Sequence, residues 1–241
     1  MSVSTVILLI LFCTGASFVQ RVSGFGFGIF IMTILPHFMP YSEATTLSGI
    51  LSATQSLYVL FAVYKYINWK HLLPILTAFI VTSYFAVQYV AIVSDTHLKH
   101  LLGIVLILLS IYFLTISERV HLKPTLAMQF SMGSVSGIMG GLFAMQGPPA
   151  VLYFVASETD KTQYLAITQA YFFIGNSMMT IFRASEGFFT INVGKCWLIA
   201  LIGVVIGTQI GKYVFDKISS SILRKAVYVY MIIAGILAIA F

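Results

Sequence analysis

Long apolar stretches separated by short polar turns make up most of the chain. A helix needs roughly 20 apolar residues to span a bilayer. Eight stretches meet this length and are predicted to be spanning helices, at residues 3–20, 43–64, 72–93, 99–117, 125–140, 162–183, 195–216 and 221–241. Two shorter stretches, 24–39 and 141–156, are interrupted by glycine and proline, so we predict that they are broken or re-entrant.

The composition agrees with a membrane location. The chain is 59% hydrophobic and 8% charged, with a mean hydropathy of +0.99, whereas a soluble domain has about 25% charged residues. The net charge of +6 comes from basic residues that stand singly in short loops. This spacing argues against nucleic acid as a partner and indicates a role in membrane orientation.

The chain is predicted to contain two related halves, residues 1–118 and 119–241, in one transmembrane domain. Four matches occur in the same order in both halves: Val22–Phe30 with Val135–Phe143, Thr54-Gln55 with Thr168-Gln169, Ile67-Asn68 with Ile191-Asn192, and Leu98–His100 with Leu223–Lys225. Each half holds five segments, and an odd number gives the halves opposite orientations. The predicted fold is an all-α integral membrane protein of two inverted five-segment repeats with broken or re-entrant hairpins, about 8–10 transmembrane segments in all.

Charge predicts the orientation. Ten of the 13 basic residues fall on one side, taken as the cytoplasm, if Lys99, Arg183 and Lys195 lie outside. This places both termini outside a multi-pass protein of the cytoplasmic (inner) membrane. Ten alternating segments and two hairpins dipping in from one side each fit this charge pattern. Arg183 ends a segment on the outer side and is interpreted as an interfacial anchor.

The two broken segments are the predicted substrate site. A broken helix frees backbone N–H groups, and glycine lets an anion approach them. Polar residues within apolar segments are costly in a membrane and often functional. The predicted substrate-binding residues are Gln20, Arg21, Ser23, Gly24, Gly26, Gly28, Gln55, Ser136, Gly137, Gly140, Gly141, Gln146, Gly147 and Gln169. Alternatively, the glycines are helix-packing surfaces, the amides are interhelical hydrogen bonds, and Arg21 reaches to the membrane surface.

The placement of the acidic residues restricts the function. Every Asp and Glu falls at a segment end or in a loop, which argues against a cation pump built on mid-membrane carboxylates. No mid-membrane histidine or aspartate is available to activate a serine, and no HExxH motif is present. We therefore predict no enzyme activity, catalytic residue, metal or cofactor. A passive anion channel and a membrane subunit of a larger complex remain alternatives to a carrier.

The Ser-Gly-rich stretches Ser23–Gly28 and Ser136–Gly141, with Gly147-Pro148, resemble the sulfite exporter TauE/SafE (TSUP) family of membrane transporters. The resemblance covers nearly the whole chain, although Gly26-Phe27-Gly28 stands where the family often has adjacent glycines. It implies proton-linked secondary transport of a small sulfur-containing anion, such as sulfite or a sulfonate, or of a related organic anion. The implied partners are that anion, the lipid bilayer and a coupling proton, and a homo-oligomer is left open.

Overall fold

A computed structural model describes residues 3–115, 124–215 and 220–240 of the protein. Every regular element in these ranges is helical. The helices are α1 Val3–Ser23, α2 Phe27–Met32, α3 Tyr41–Val63, α4 Trp69–Ile92, α5 Asp95–Thr115, α6 Leu126–Phe143, α7 Gly147–Ser157, α8 Lys161–Ser185, α9 Ile191–Phe215 and α10 Ser220–Ala240, with 3-10 turns at Leu35–His37 and Tyr64–Tyr66. The predicted all-α class is confirmed.

Seven helices in the described ranges are long and apolar enough to cross a membrane: α1, α3, α4, α5, α6, α8 and α9. Large apolar side chains on their outer faces are exposed, for example Phe61, Phe85 and Ile92 at 70%, 66% and 81%. A soluble monomer rarely exposes contiguous apolar surface of this kind. These outer faces are therefore suited to contact with lipid, as expected for a multi-pass membrane protein.

The two short segments form the return legs of hairpins. At 1.5 Å per residue, the 6-residue α2 and the 11-residue α7 are about 9 and 16 Å long, against roughly 30 Å of hydrocarbon. Phe38, which follows α2, lies 6.4 Å from Phe12 of α1 between ring centroids. Glu158, which follows α7, bonds to His71 at the start of α4. Of the two predicted arrangements, the structure therefore has the hairpins.

The boundaries of the second break differ from the prediction. Helix α6 continues to Phe143, so Gly137, Gly140 and Gly141 lie inside it, and the break begins at Ala144. The predicted boundary between the halves, at residues 118 and 119, lies outside the described residues. So do Arg119, Lys123 and Lys217 of the predicted cytoplasmic set.

Two helix pairs run parallel, and glycines on one member of each pair mark the register. In α9 and α1, the facing residues are Gly203 with Ile10, Gly207 with Thr14, and Gly211 with Phe18. In α6 and α4, they are Gly133 with Ile75, Gly137 with Phe79, and Gly141 with Ser83. The pairing α1–α9 becomes α6–α4 when the halves are exchanged.

The third helices of the two halves, α3 and α8, run antiparallel. Arg183 bonds to Thr45, and Asn176 bonds to Ser52. Two contacts show that α3 runs parallel to α9, and two others show that α4 runs parallel to α8. Helices α1 and α6, the first of each half, therefore run in opposite directions, as an inverted repeat requires. The duplication itself remains a prediction.

The helix directions show on which side of the protein each of these basic residues lies. Arg21, Lys65, Lys70, Lys161 and Lys212 lie where α1, α3 and α9 end and where α4 and α8 begin. Lys99 and Lys195 lie on the opposite side. Which side is the cytoplasm remains a prediction from the positive-inside rule.

The glycine contacts leave no room for a side chain. A Cβ on Gly207 would lie 2.2 Å from the carbonyl oxygen of Thr14, and one on Gly137 would lie 2.6 Å from that of Phe79. Without a hydrophobic driving force between helices in lipid, such close backbone packing is a main source of association. The helix-packing interpretation therefore accounts for Gly137 and Gly141.

We expect Gly207→Ala to destabilise the protein, because the new methyl group forces α9 away from α1. Overpacking of this kind costs about 1–3 kcal/mol, which thermal unfolding in detergent would detect as a lower Tm. Gly194→Ala on the same helix is the matched control, since its Cβ would meet nothing nearer than 3.9 Å. An equal loss in both variants would contradict the packing argument.

Candidate functional site: the two helix breaks

The first break lies between α1 and α2 and depends on glycine. Gly24 and Gly26 have φ angles of +86° and +111°, which side chains disfavour. Ser23 closes the end of α1, since its hydroxyl lies within hydrogen-bonding distance of the Val19 carbonyl oxygen, at 2.7 Å, and of the Phe25 carbonyl oxygen. The hydroxyl has one hydrogen and donates to either oxygen, which stabilises the reversal of the chain inside the protein.

The second break lies between α6 and α7 and starts at Ala144, which has a φ of +55°. Helix α6 ends in a Schellman-type turn, in which the Met145 N–H donates to the Met139 carbonyl oxygen at 3.3 Å. Ser136, the predicted counterpart of Ser23, donates to the Gln146 carbonyl oxygen and accepts from the Tyr171 hydroxyl at 2.6 Å. Both breaks are thus closed by a serine that bonds a carbonyl group within the break.

The two breaks contact each other directly. A Cβ on Gly28 would lie 1.9 Å from the Ala144 carbonyl oxygen, and one on Gly147 would lie 2.9 Å from the Phe25 Cβ. Between them is a cavity of about 20 Å³, here called the break cavity, lined by Gln20, Gly26, Gly28, Ser52, Gln146 and Gly147 among others. This volume is close to that of a single water molecule. A larger molecule can enter only if the breaks separate.

Side-chain amides supply the unbonded polar groups at the break cavity. Gln20 Nε2 and both amide atoms of Gln146 have no hydrogen-bond partner among the described residues, although both side chains are buried. Pro148 and Pro149 occupy the first turn of α7 and carry no N–H. Because of these prolines, α7 offers fewer backbone N–H donors than the predicted substrate site assumed, and the side-chain amides become the main candidate donors.

A second cavity of about 20 Å³ brings together the repeat-related glutamines. This glutamine cavity is lined by Gln20, Arg21, Gly24, Gln55, Val59, Leu165 and Gln169. Gln55 Nε2 donates to the Ser17 carbonyl oxygen at 2.9 Å, while Oε1 of Gln55 and Oε1 of Gln169 have no partner among the described residues. Since Gln20 lines both cavities, it joins them on the side of the protein where Arg21 lies.

A polar chain connects the three helices around the break cavity. Asn176 Nδ2 of α8 donates to Ser52 Oγ of α3 at 3.1 Å, and Ser52 Oγ donates to Gln20 Oε1 of α1 at 3.4 Å. Asn176 therefore forms an interhelical hydrogen bond between α8 and α3. Because Ser52 lines the break cavity, this contact also places Asn176 directly behind the wall of that cavity.

Arg183 is the functional candidate that the sequence interpretation missed. Its side chain is only 1% exposed, so it is not an interfacial anchor. Nη1 donates to the Thr45 carbonyl oxygen at 3.0 Å, and Nη2 donates to those of Gly140 and Gly141 at 2.8 and 3.2 Å. Arg183 thus caps the C-terminal end of α6, immediately before the second break.

No carboxylate of the described residues forms an ion pair with Arg183, since the ion pair found among them joins His71 and Glu158. The lining of the two cavities likewise contains no Asp or Glu. A buried cation in low dielectric is costly without a counter-charge. The sequence contains one signal that could have revealed Arg183 as a candidate. It is a stripe of polar residues at helical spacing on one face of α8, formed by Gln169, Asn176, Thr180 and Arg183.

The predicted site residues therefore divide into two groups. Two cavities bring together Gln20, which lines both, and Arg21, Gly24, Gly26, Gly28, Gln55, Gln146, Gly147 and Gln169. Ser23 and Ser136 line neither cavity and bond carbonyl groups of the breaks. Gly137 and Gly141 instead pack on α4, and Gly140 contributes its carbonyl group to Arg183. Within the described residues, no group of three or more His, Cys, Asp or Glu is placed to hold a metal ion.

Comparison with known proteins identifies the family. The family model "Sulfite exporter TauE/SafE" matches residues 7–238, so the chain belongs to this family of membrane transporters. The chain is also 22% identical over 232 residues to the "Probable sulfite/organosulfonate exporter TauE" of Cupriavidus necator, covering 91% of this chain and 88% of that protein. No solved structure matches the chain. The family resemblance seen in the sequence is confirmed, and membership of a transporter family agrees with the prediction that the protein is not an enzyme.

We expect Arg183→Met to lower the Tm, because the carbonyl oxygens of Thr45, Gly140 and Gly141 each lose a hydrogen bond from the guanidinium group. Hydrogen bonds to charged groups contribute about 1.5–3 kcal/mol each. Arg183→Lys should fall between Arg183→Met and the wild type, since an ammonium group keeps the charge but not the fork of donors. Lys195→Met, which removes an exposed charge on the same side, is the matched control. A Tm for Arg183→Met equal to that of this control would contradict the capping role.

Proposed function

We propose that the protein is a secondary transporter that moves a small sulfur-containing anion, such as sulfite, a sulfonate or a related organic anion, across the cytoplasmic membrane. The anion binds between the two helix breaks, and its movement is linked to protons. The single observation that carries this proposal is the meeting of both breaks at a cavity with unbonded glutamine amides. Arg183 adds a buried positive charge at the end of α6, where the second break begins.

The electrostatics favour an anion over a cation. Arg183 brings a positive charge to the end of α6, while neither cavity is lined by a carboxylate. A charge inside a low-dielectric interior acts over a longer distance than one in water. An anion in the break cavity would compensate Arg183 without having to displace its three carbonyl partners.

The amides provide neutral donors for the oxygens of such an anion. Gln20 Nε2 and Gln146 Nε2 can each donate to a sulfite or sulfonate oxygen. The amides of Gln55 and Gln169 can present either nitrogen or oxygen, because a rotation of the amide group exchanges the two. A site of neutral donors binds the anion weakly enough to release it, which a carrier requires.

The contact between the breaks supports a carrier over an open channel. Gly28 and Ala144 touch, and the break cavity is far smaller than a sulfonate. Substrate therefore has to separate the hairpins when it binds, as in alternating access around a central site. The glutamine cavity then forms the next part of the route, on the side that carries Arg21, Lys161 and Lys212.

The relative from Cupriavidus necator supports the substrate class, because its name specifies sulfite and organosulfonate. At 22% identity the choice within that class is open to test. The orientation proposed here, with both termini outside the cytoplasmic membrane, places the glutamine cavity on the cytoplasmic side. Import and export use the same site, since direction follows the gradients.

The test is substrate-dependent thermal stabilisation of the purified protein by sulfite, thiosulfate, sulfoacetate, isethionate, taurine and acetate. A ligand that binds only the folded state adds RT ln(1 + [L]/Kd), or about 2.7 kcal/mol at one hundred times Kd. We expect the Tm to rise with one or more sulfur-containing anions. The rise should be lost in Gln20→Ala and reduced in Gln55→Ala and Gln169→Ala.

Gln88→Ala is the matched control. Gln88 bonds to Glu186 at 2.6 Å and lines neither cavity, so this variant should keep the full ligand-induced rise. Each shift is measured relative to the variant's own Tm without ligand. The proposal fails if no anion stabilises the well-folded protein, or if all glutamine variants respond as the wild type does.

A further inference from the structure

A buried carboxylate and a half-exposed histidine meet where α7 joins α8. The Glu158 side chain is 2% exposed, and its Oε1 lies 2.6 Å from Nδ1 of His71, whose side chain is 29% exposed. Asn68 Nδ2 and Ser157 Oγ each lie 3.4 Å from the same oxygen. These four residues, called the α7 junction, hold the C-terminal end of α7, where the second hairpin ends, against the start of α4.

The opposite side of the protein has a matching contact without a histidine. Glu43, in the first turn of α3, accepts from Thr190 Oγ1 at 3.0 Å and from Asn192 Nδ2 at 3.1 Å. This α3 junction follows the first hairpin, as the α7 junction follows the second. Asn192 and Asn68 also belong to the matched Ile-Asn pairs of the two halves. The two junctions therefore differ in the ionisable partner His71 and in burial, since Glu158 is buried and Glu43 is half-buried.

We propose that the α7 junction is a proton-binding latch, in which one proton shared by His71 and Glu158 holds the second hairpin closed against α4. Loss of that proton releases the end of α7, and Gly147 at its other end lines the break cavity. This inference rests on the proposed transport function, because a latch has a purpose only if the hairpins move. It assigns pH control to one side of the protein and none to the α3 junction.

The direction of the pH effect follows from burial. In the closed junction the carboxylate is removed from water, so a protonated His71 stabilises it through a short, charge-assisted hydrogen bond. In an open junction water solvates both groups, and the proton adds less. Acid pH, which supplies the proton that the closed junction holds, therefore favours closure, and rising pH favours opening.

The other groups around His71 and Glu158 have different partners or are exposed, so His71 is the group assigned to bind the proton with Glu158. Tyr153 of α7 faces His71 at 6.5 Å between ring centroids, and its hydroxyl accepts from Gln129 of α6 at 2.6 Å. Asp160 caps the start of α8, with Oδ1 2.9 Å from the backbone nitrogens of Thr162 and Gln163. The nearby lysines, Lys70 and Lys161, are exposed, and within the described residues His71 is the basic partner of Glu158.

The first test measures opening directly and needs no transport. Gln129 is 5% exposed behind Tyr153, so a cysteine there reports movement of α7. Gln129→Cys is placed in a background with Cys13→Ala and Cys196→Ala, and its maleimide labelling rate is divided by that of exposed Thr159→Cys. The ratio removes the ordinary effect of pH on thiols. We expect it to rise by roughly fivefold or more between about pH 5.5 and pH 8.

The variants separate the latch from its surroundings. Glu158→Gln and His71→Gln should both give a ratio that no longer depends on pH, and the matched variant Glu43→Gln should keep the rise. A ratio that is flat in the parent protein overturns the proposal. So does a rise that persists unchanged in Glu158→Gln.

The second test measures exchange of labelled isethionate across liposomes at the same two pH values. We expect faster exchange at the higher pH in the wild type and no pH dependence in Glu158→Gln. Labelling as predicted without exchange of any anion would refute the proposed function and leave the latch intact. Normal exchange with flat labelling would refute the latch alone.

Discussion

The whole arrangement depends on satisfying backbone groups where helices break inside a membrane. Lipid offers no hydrogen bonds, so irregular backbone is tolerated only where protein surrounds it. The two hairpins meet this constraint together, since Gly28 lies against the Ala144 carbonyl group and Gly147 against Phe25. Serines 23 and 136 bond the free carbonyl groups, and Arg183 with Tyr41 caps α6. Removing one hairpin would take away part of the protein that surrounds the break of the other.

The same constraint explains why the site is polar but free of carboxylates. Breaking a helix leaves amide and carbonyl groups near the centre of the protein, and glutamine and serine side chains can bond them without adding charge. The exception is Arg183, whose planar fork reaches carbonyl groups on both α3 and α6. Its charge remains after its hydrogen bonds are made. In an interior built this way, stabilising the backbone also produces the positive field in which an anion is favoured.

A glutamate bonds near the end of each hairpin, and the partners of the two glutamates differ between the two sides of the protein. Glu43 bonds to neutral Thr190 and Asn192, whereas Glu158 bonds to His71 and Asn68. The glycine seams of α6 on α4 and of α9 on α1 are closely packed and leave little freedom for those helices. The shorter legs α2 and α7 have fewer such contacts. Movement is therefore expected in the hairpins, within a frame of tightly packed parallel pairs.

Local residue patterns were sufficient for the helices and for the existence of both breaks, although the second break begins at Ala144, beyond the predicted glycine stretch. Apolar length decides spanning, while Gly24, Gly26 and the Pro148-Pro149 pair interrupt a helix whatever surrounds them. The roles of Gly137, Gly141 and Arg183 depended on neighbours from other helices: Gly141 is a packing residue because α4 lies against it, and Arg183 is buried because α6 ends beside it. A sequence specifies which residues are small or charged, but only the tertiary structure decides which backbone they meet.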